Sequence, residues 1–196
     1  MKPIKDWDNV KEPSSTRESL PAGGYVCEIL KAAEKPNKQS RGTHLELMIE
    51  ICEGERRGFF TADYNAQTGE QRYWGGVVNQ NIPDELSDKY AMQASFFRRF
   101  TNAVEDSNPG YHWDWNEAGL KGKKIGVIFA AREKESAKGT IYTVTNADSV
   151  VSVDTIRSGK FTVPELKKLE RKTSSGYGGA YNDVPPHTDA DLPAGF

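Results

Sequence analysis

Basic side chains recur beside aromatic ones along this chain. That pairing is what a protein needs to hold unpaired nucleic acid, because cations meet phosphates while flat rings stack on bases. Lys31, Lys35, Lys38 and Arg41 bracket a first polar loop, Arg56 and Arg57 precede Phe59 and Phe60, and Arg72 adjoins Tyr73 and Trp74. Lys121, Lys123 and Lys124 lead into a later apolar run, and Arg132, Lys134 and Lys138 load a charged connection with Tyr142 beyond it. The candidate DNA contacts are therefore Lys35, Lys38, Arg41, Arg56, Arg57, Arg72, Tyr73, Trp74, Lys123, Lys124, Arg132, Lys134, Lys138 and Tyr142. The formal net charge of −2 does not oppose this, because an acidic tail can offset a basic groove and only the local field steers a polyanion. Each residue also has a plainer use: loop lysines solvate a surface, and Phe59, Phe60, Phe96, Phe97 and Phe100 are read individually as core fillers.

Other chemistries find little support. Cys27 and Cys52 are the only cysteines, too few for a disulfide framework, and each lies in an apolar or alternating run that reads as buried strand. Together with His44, His112 and His187 they form no CxxC, HxxxH or HExxH spacing, so no metal site is expected. Asp63, Asp84, Asp106 and Asp114 are scattered and read as solvated surface rather than Mg²⁺ ligands. No GxSxG nucleophile context, GxGxxG or GxxxxGK[ST] phosphate loop occurs, and the expectation is a protein without enzymatic activity or cofactor.

The elements that position the candidates fit one core, since 196 residues leave little room for a second. Charged residues at 28% and a mean hydropathy of −0.70 describe a soluble chain, and no apolar run approaches the roughly 20 residues of a membrane span. Residues 1–20 read as an N-terminal arm, 21–172 as the folded domain, and 173–196 as a flexible tail. That tail has no Lys or Arg, carries Asp183, Asp189 and Asp191, and ends in Phe196. Alternation predicts strands over 22–33 and 44–52, with a third over 56–64 (RRGFFTADY). Met92, Phe96, Phe97, Phe100 and Val104 recur at helical spacing and predict a helix over 89–105. Strands are predicted again over 123–131 and 140–145, with one further strand or an irregular stretch over 150–156 and a short helix at most over 163–170. The resulting expectation is a mainly-β, five-stranded barrel of the oligonucleotide-binding (OB-fold) kind, with a helix-containing insertion between strands three and four. An open antiparallel sheet with one helix against a face has the same periodicity.

The segments LPAGGYVCEILKA (20–32), THLELMIEICEGE (43–55), RFTNAVEDSNPGY (99–111) and GLKGKKIGVIFAAREKE (119–135), with the DLPAGF ending, resemble phage and prophage proteins of the DUF669 type. These are similar to single-stranded DNA-binding proteins encoded beside replication or recombination genes. The resemblance implies the barrel and single-stranded DNA as partner without sequence preference; a homo-oligomer is expected because one barrel offers a short footprint, and the cytoplasm of a bacterial host because no membrane span or apolar leader segment is read. It also implies that Asp189, Asp191, Leu192, Pro193 and Phe196 act as a tip that recruits replication or recombination proteins, with Ala194 and Gly195 inserted before the terminal ring. The alternative reading is a non-catalytic interaction or architectural protein of a phage or mobile element.

Overall fold

The computed structural model describes residues 18–38, 41–68 and 71–169. Tail residues 173–196, and with them the proposed tip, lie outside the described residues, as does most of the N-terminal arm.

Strict alternation in Leu45, Leu47, Ile49 and Ile51 buries every second side chain of β2 (Thr43–Ile51). Cys27 and Ile29 of β1 (Gly23–Pro36) and Ile125, Val127 and Phe129 of β4 (Lys124–Glu135) join them on one face. Both neighbours of β1 run antiparallel to it, and β3 (Val77–Asn81) and β5 (Ile141–Val151) complete a five-stranded sheet in the order β3-β2-β1-β4-β5. Against the buried face lies α2 (Tyr90–Ser107), which contributes Phe97, Phe100, Thr101 and Val104 at the expected helical spacing. The helix is tied down at its end: Asn108 Oδ1 accepts from Lys124 N (2.9 Å) and Asn108 Nδ2 donates to Lys124 O (2.8 Å).

The sheet does not close into a barrel, which corrects the OB-fold expectation. β3 and β5 are the two ends of the strand order and no ladder joins them, so the molecule is a mixed α/β fold with an open antiparallel sheet. Two local facts account for this. The segment expected to be a long third strand is helical: α1 spans Phe59–Ala66, entered from Gly58 at φ 77°. The Glu50 carboxylate accepts from Phe60 N and Thr61 N and so satisfies donors of the first helical turn. The strand that does follow, β3, is only five residues long, and α2 contacts both β3 and β5 where a direct pairing would lie. The predicted helix between strands three and four is present.

Two further expectations need correction. After β5 the chain forms α3 (Val153–Arg157) rather than a sixth strand, because Ser152 accepts from Thr155 N and caps a helical turn. No helix forms over 163–169, where a short one at most is expected; Lys167 instead bridges in parallel to Arg132, with Lys167 N donating to Ala131 O and Glu133 N to Lys167 O. β4 runs past the start of β1, whose Gly23 pairs with Phe129, and this bridge occupies the vacated edge. Ile156 and Phe161 meanwhile cover the second face of β1 and β4, packing onto Gly24 and Gly126. Among the described residues no helix is long and apolar enough to cross a membrane.

A Cβ on Gly126 would stand 2.6 Å from Ile156 Cγ1 and 2.7 Å from Ser152 O. Gly126→Ala is expected to destabilise by about 1–3 kcal/mol, the usual cost of overpacking, and urea unfolding followed by circular dichroism measures it.

Candidate nucleic-acid interface

Antiparallel register decides which candidates share a surface. On the β4–β5 hairpin Lys134 stands opposite Tyr142 and Arg132 opposite Val144, all on one face, while Lys138 sits in the connecting turn. Tyr142 is 45% exposed, and among the described residues no ion pair engages Lys134 or Lys138. Arg132 meets Asp148 at 3.4 Å. The bridge at Lys167 brings Lys167 and Lys168, both exposed, to the same strand.

The loop after β1 lies at the other end. β1 is 14 residues long, about 46 Å of strand at roughly 3.3 Å per residue, and β4 leaves it at the Gly23 end while the turn to β2 follows Pro36. Lys38 is exposed in that turn, Arg41 pairs with Asp84 (3.4 Å), and Lys35 Nζ reaches the buried Glu46 carboxylate at 2.7 Å. The candidates therefore do not converge on one patch.

Several are already engaged. Arg56 pairs with Glu18, and Arg57 is exposed at the neighbouring turn. The Arg72 guanidinium lies over the Tyr64 ring at 4.7 Å, and Lys123 over Tyr111 at 4.6 Å, which are cation–π contacts. Trp74, half-buried, donates from Nε1 to Ile49 O (3.1 Å) and has Phe60 and Tyr64 as ring neighbours, so it walls the core. Tyr73 is exposed, its backbone held from both sides by the Gln67 amide. Lys124 (3.0 Å) and a bidentate Arg157 (2.7 and 3.1 Å) share the Glu53 carboxylate. Arg157 first, then Lys124, holds that carboxyl down at about 2. Cys27 is buried, which pushes its thiol well above the usual range and leaves it inert. Among the described residues no group of three or more His, Cys, Asp or Glu side chains is placed to hold a metal ion.

Sequence reading overlooked a second surface on α2. Arg98 and Arg99 project between the buried Phe97 and Phe100, and no ion pair among the described residues engages them. At 100° per residue, an inward 97/100/104 row obliges 98 and 99 to face outward, so the helical signal contained them. Phe96, expected in the core, is 49% exposed, with the Arg99 guanidinium over its ring at 5.5 Å. Beside Arg98 lies a cleft of about 360 Å³ lined by Tyr90, Phe97, Trp113 and Trp115. Trp115 is 75% exposed at φ 65°, a backbone region bulky residues avoid. No local pattern separates Trp115 from Trp113; only the fold does.

The chain matches no family model and no curated protein, so the resemblance to DUF669-type proteins rests on the quoted segments alone.

Glu53 carries a pH prediction. Its carboxyl titrates lower folded than at its ordinary 4.5, so its contribution is complete above that value and is lost as pH falls from about 4.5 towards 2. Glu53→Gln is expected to flatten the stability profile across that window and to lower Tm at pH 7 by about 2–4 °C, as read by thermal melts from pH 2 to 7.

Proposed function

We propose that this protein binds single-stranded DNA without sequence preference and without catalysis, in phage or prophage replication or recombination. The observation that carries the reading is the β4–β5 hairpin, where Lys134 and Lys138, without an ion pair among the described residues, flank an exposed Tyr142 and Lys167 and Lys168 are drawn alongside. Cations free of carboxylate partners beside an open ring supply phosphate neutralisation and base stacking together, and neither depends on base identity. Asp148 links this surface to α2, since it pairs with Arg132 and lines the same groove as Arg99.

One observation favours a second reading, a non-catalytic interaction protein. The open edges β3 and β5 flank a single groove of about 430 Å³, with Met92 (51% exposed) and Phe96 on its helical side. Unpaired strand edges beside exposed apolar side chains are a template for an added strand.

Anisotropy of labelled oligo-dT at two salt concentrations, with duplex DNA of equal length as competitor, tests the first reading. Binding is expected to weaken with salt and to resist duplex. Each phosphate neutralised contributes about 0.7 to the log–log salt slope, so Lys134→Ala with Lys138→Ala lowers it by about 1.4. Tyr142→Ala weakens binding by about fivefold or more, the loss of one stacked base. No binding of either strand form at low salt sinks this reading and leaves the open edges as the surface to pursue.

A further inference from the structure

The cleft beside Arg98 is lined by residues from 82–115, α2 among them, and by none of the β4–β5 hairpin. Its walls are built, not incidental. The Glu105 carboxylate accepts from Trp113 N (3.0 Å) and meets His112 Nδ1 at 3.0 Å, which pins the 112–113 segment to α2. Trp113 packs edge-on against Phe97, and Trp115 lies nearly parallel to Phe97 at 11° with ring centroids 6.0 Å apart. One face of the Trp115 indole is thus supported while the residue remains 75% exposed.

That placement costs backbone energy. A left-handed conformation at a bulky residue costs on the order of 1–3 kcal/mol, and such strain persists where the surroundings over-determine it. Here Asp114 Oδ1 accepts from Asn116 N (3.2 Å) and Asn116 Oδ1 from Ala118 N (3.1 Å), a pair of turns that fixes the chain on the C-terminal side of Trp115.

The open face of Trp115 and the Arg98 guanidinium beside it match a nucleobase and its phosphate, and Glu85 also lines the cleft. A base brings a flat face that stacks on an aromatic ring whatever its identity. A volume of about 360 Å³ lies in the small-ligand range of roughly 300–1,000 Å³. Arg98 lines both this cleft and the adjoining surface that Arg99 shares, so two guanidiniums in series continue away from it.

We infer that this cleft is a nucleobase pocket: one base of a single strand stacks on the open face of Trp115, and the phosphates that follow lie on Arg98 and Arg99. The inference rests on the single-strand reading above and assigns it a second contact point.

The test compares oligo-dT with an abasic strand of equal length and charge, using the wild type and three variants. Trp115→Asn removes the ring while suiting the left-handed backbone, Trp115→Tyr keeps a stacking face, and Arg98→Ala removes a cation. Wild type is expected to prefer the base-bearing strand. Trp115→Asn loses about tenfold on oligo-dT and nothing on the abasic strand, and Trp115→Tyr retains most of the preference. Arg98→Ala weakens both strands and lowers the salt slope by about 0.7. Wild-type binding that Trp115→Asn leaves unchanged, or weakens equally on both strands, overturns the pocket while the single-strand function stands. If the wild type binds neither strand, both are lost. If oligo-dT leaves the tryptophan emission of the wild type unchanged while a proline-rich peptide quenches it, the cleft is a peptide groove and the inference is overturned.

Discussion

The packing of α2 against the sheet governs most of what this molecule presents to solvent. Phe97, Phe100 and Val104 feed one buried face, and the two-way bond between the Asn108 amide and the Lys124 backbone fixes the helix end to β4. With α2 held there, β3 and β5 contact the helix and do not pair with each other, so the sheet stays open. The same docking leaves Arg98 and Arg99 outward and sets one wall of the aromatic cleft. The register of a single helix thus decides both the architecture and the location of two surfaces.

Electrostatics then sorts the cations. A carboxylate within about 4 Å of a lysine or arginine competes with any incoming phosphate, since the attraction is spent locally and the net field of the pair falls off quickly. By that measure Lys35, Arg41, Arg56, Lys124 and Arg132 are partly or wholly committed inside the protein. Glu53 is the clearest case, serving Arg157 and Lys124 at once and joining α3 to the sheet. Among the described residues Lys134, Lys138, Arg98 and Arg99 stay out of ion pairs, as do the exposed Lys38, Arg57, Lys167 and Lys168, and the proposed contacts are drawn around the first four because exposed rings stand beside them.

Aromatic residues divide by the same logic of neighbours. Trp74 has both a packing role and a satisfied N–H, whereas Trp115 has one supported face and one open one. Two tryptophans in equally polar stretches of sequence therefore have opposite uses. A ring with one face open and its backbone held in an unfavourable conformation has little to contribute to the core.

Periodicity in the sequence determined β2 and α2 nearly to their ends and the apolar parts of β1 and β4, because alternation at two and recurrence at 3.6 are imposed by one buried face and need only local order; β4 runs on to Glu135, through Arg132 and Lys134, where the charged sequence reads as a connection. It also marked the charged β4–β5 hairpin and the helix between strands three and four. What it left undecided was long-range: RRGFFTADY has the composition of a strand, but Gly58 and the Glu50 carboxylate make it a helix. Barrel and open sheet share one hydrophobic pattern, so only the seating of α2 separates them. Which lysines face a carboxylate, and which tryptophan keeps a free face, depend on contacts between residues distant in the chain, such as Arg157 on Glu53 or Trp74 on Ile49, and those exist only once the chain has folded.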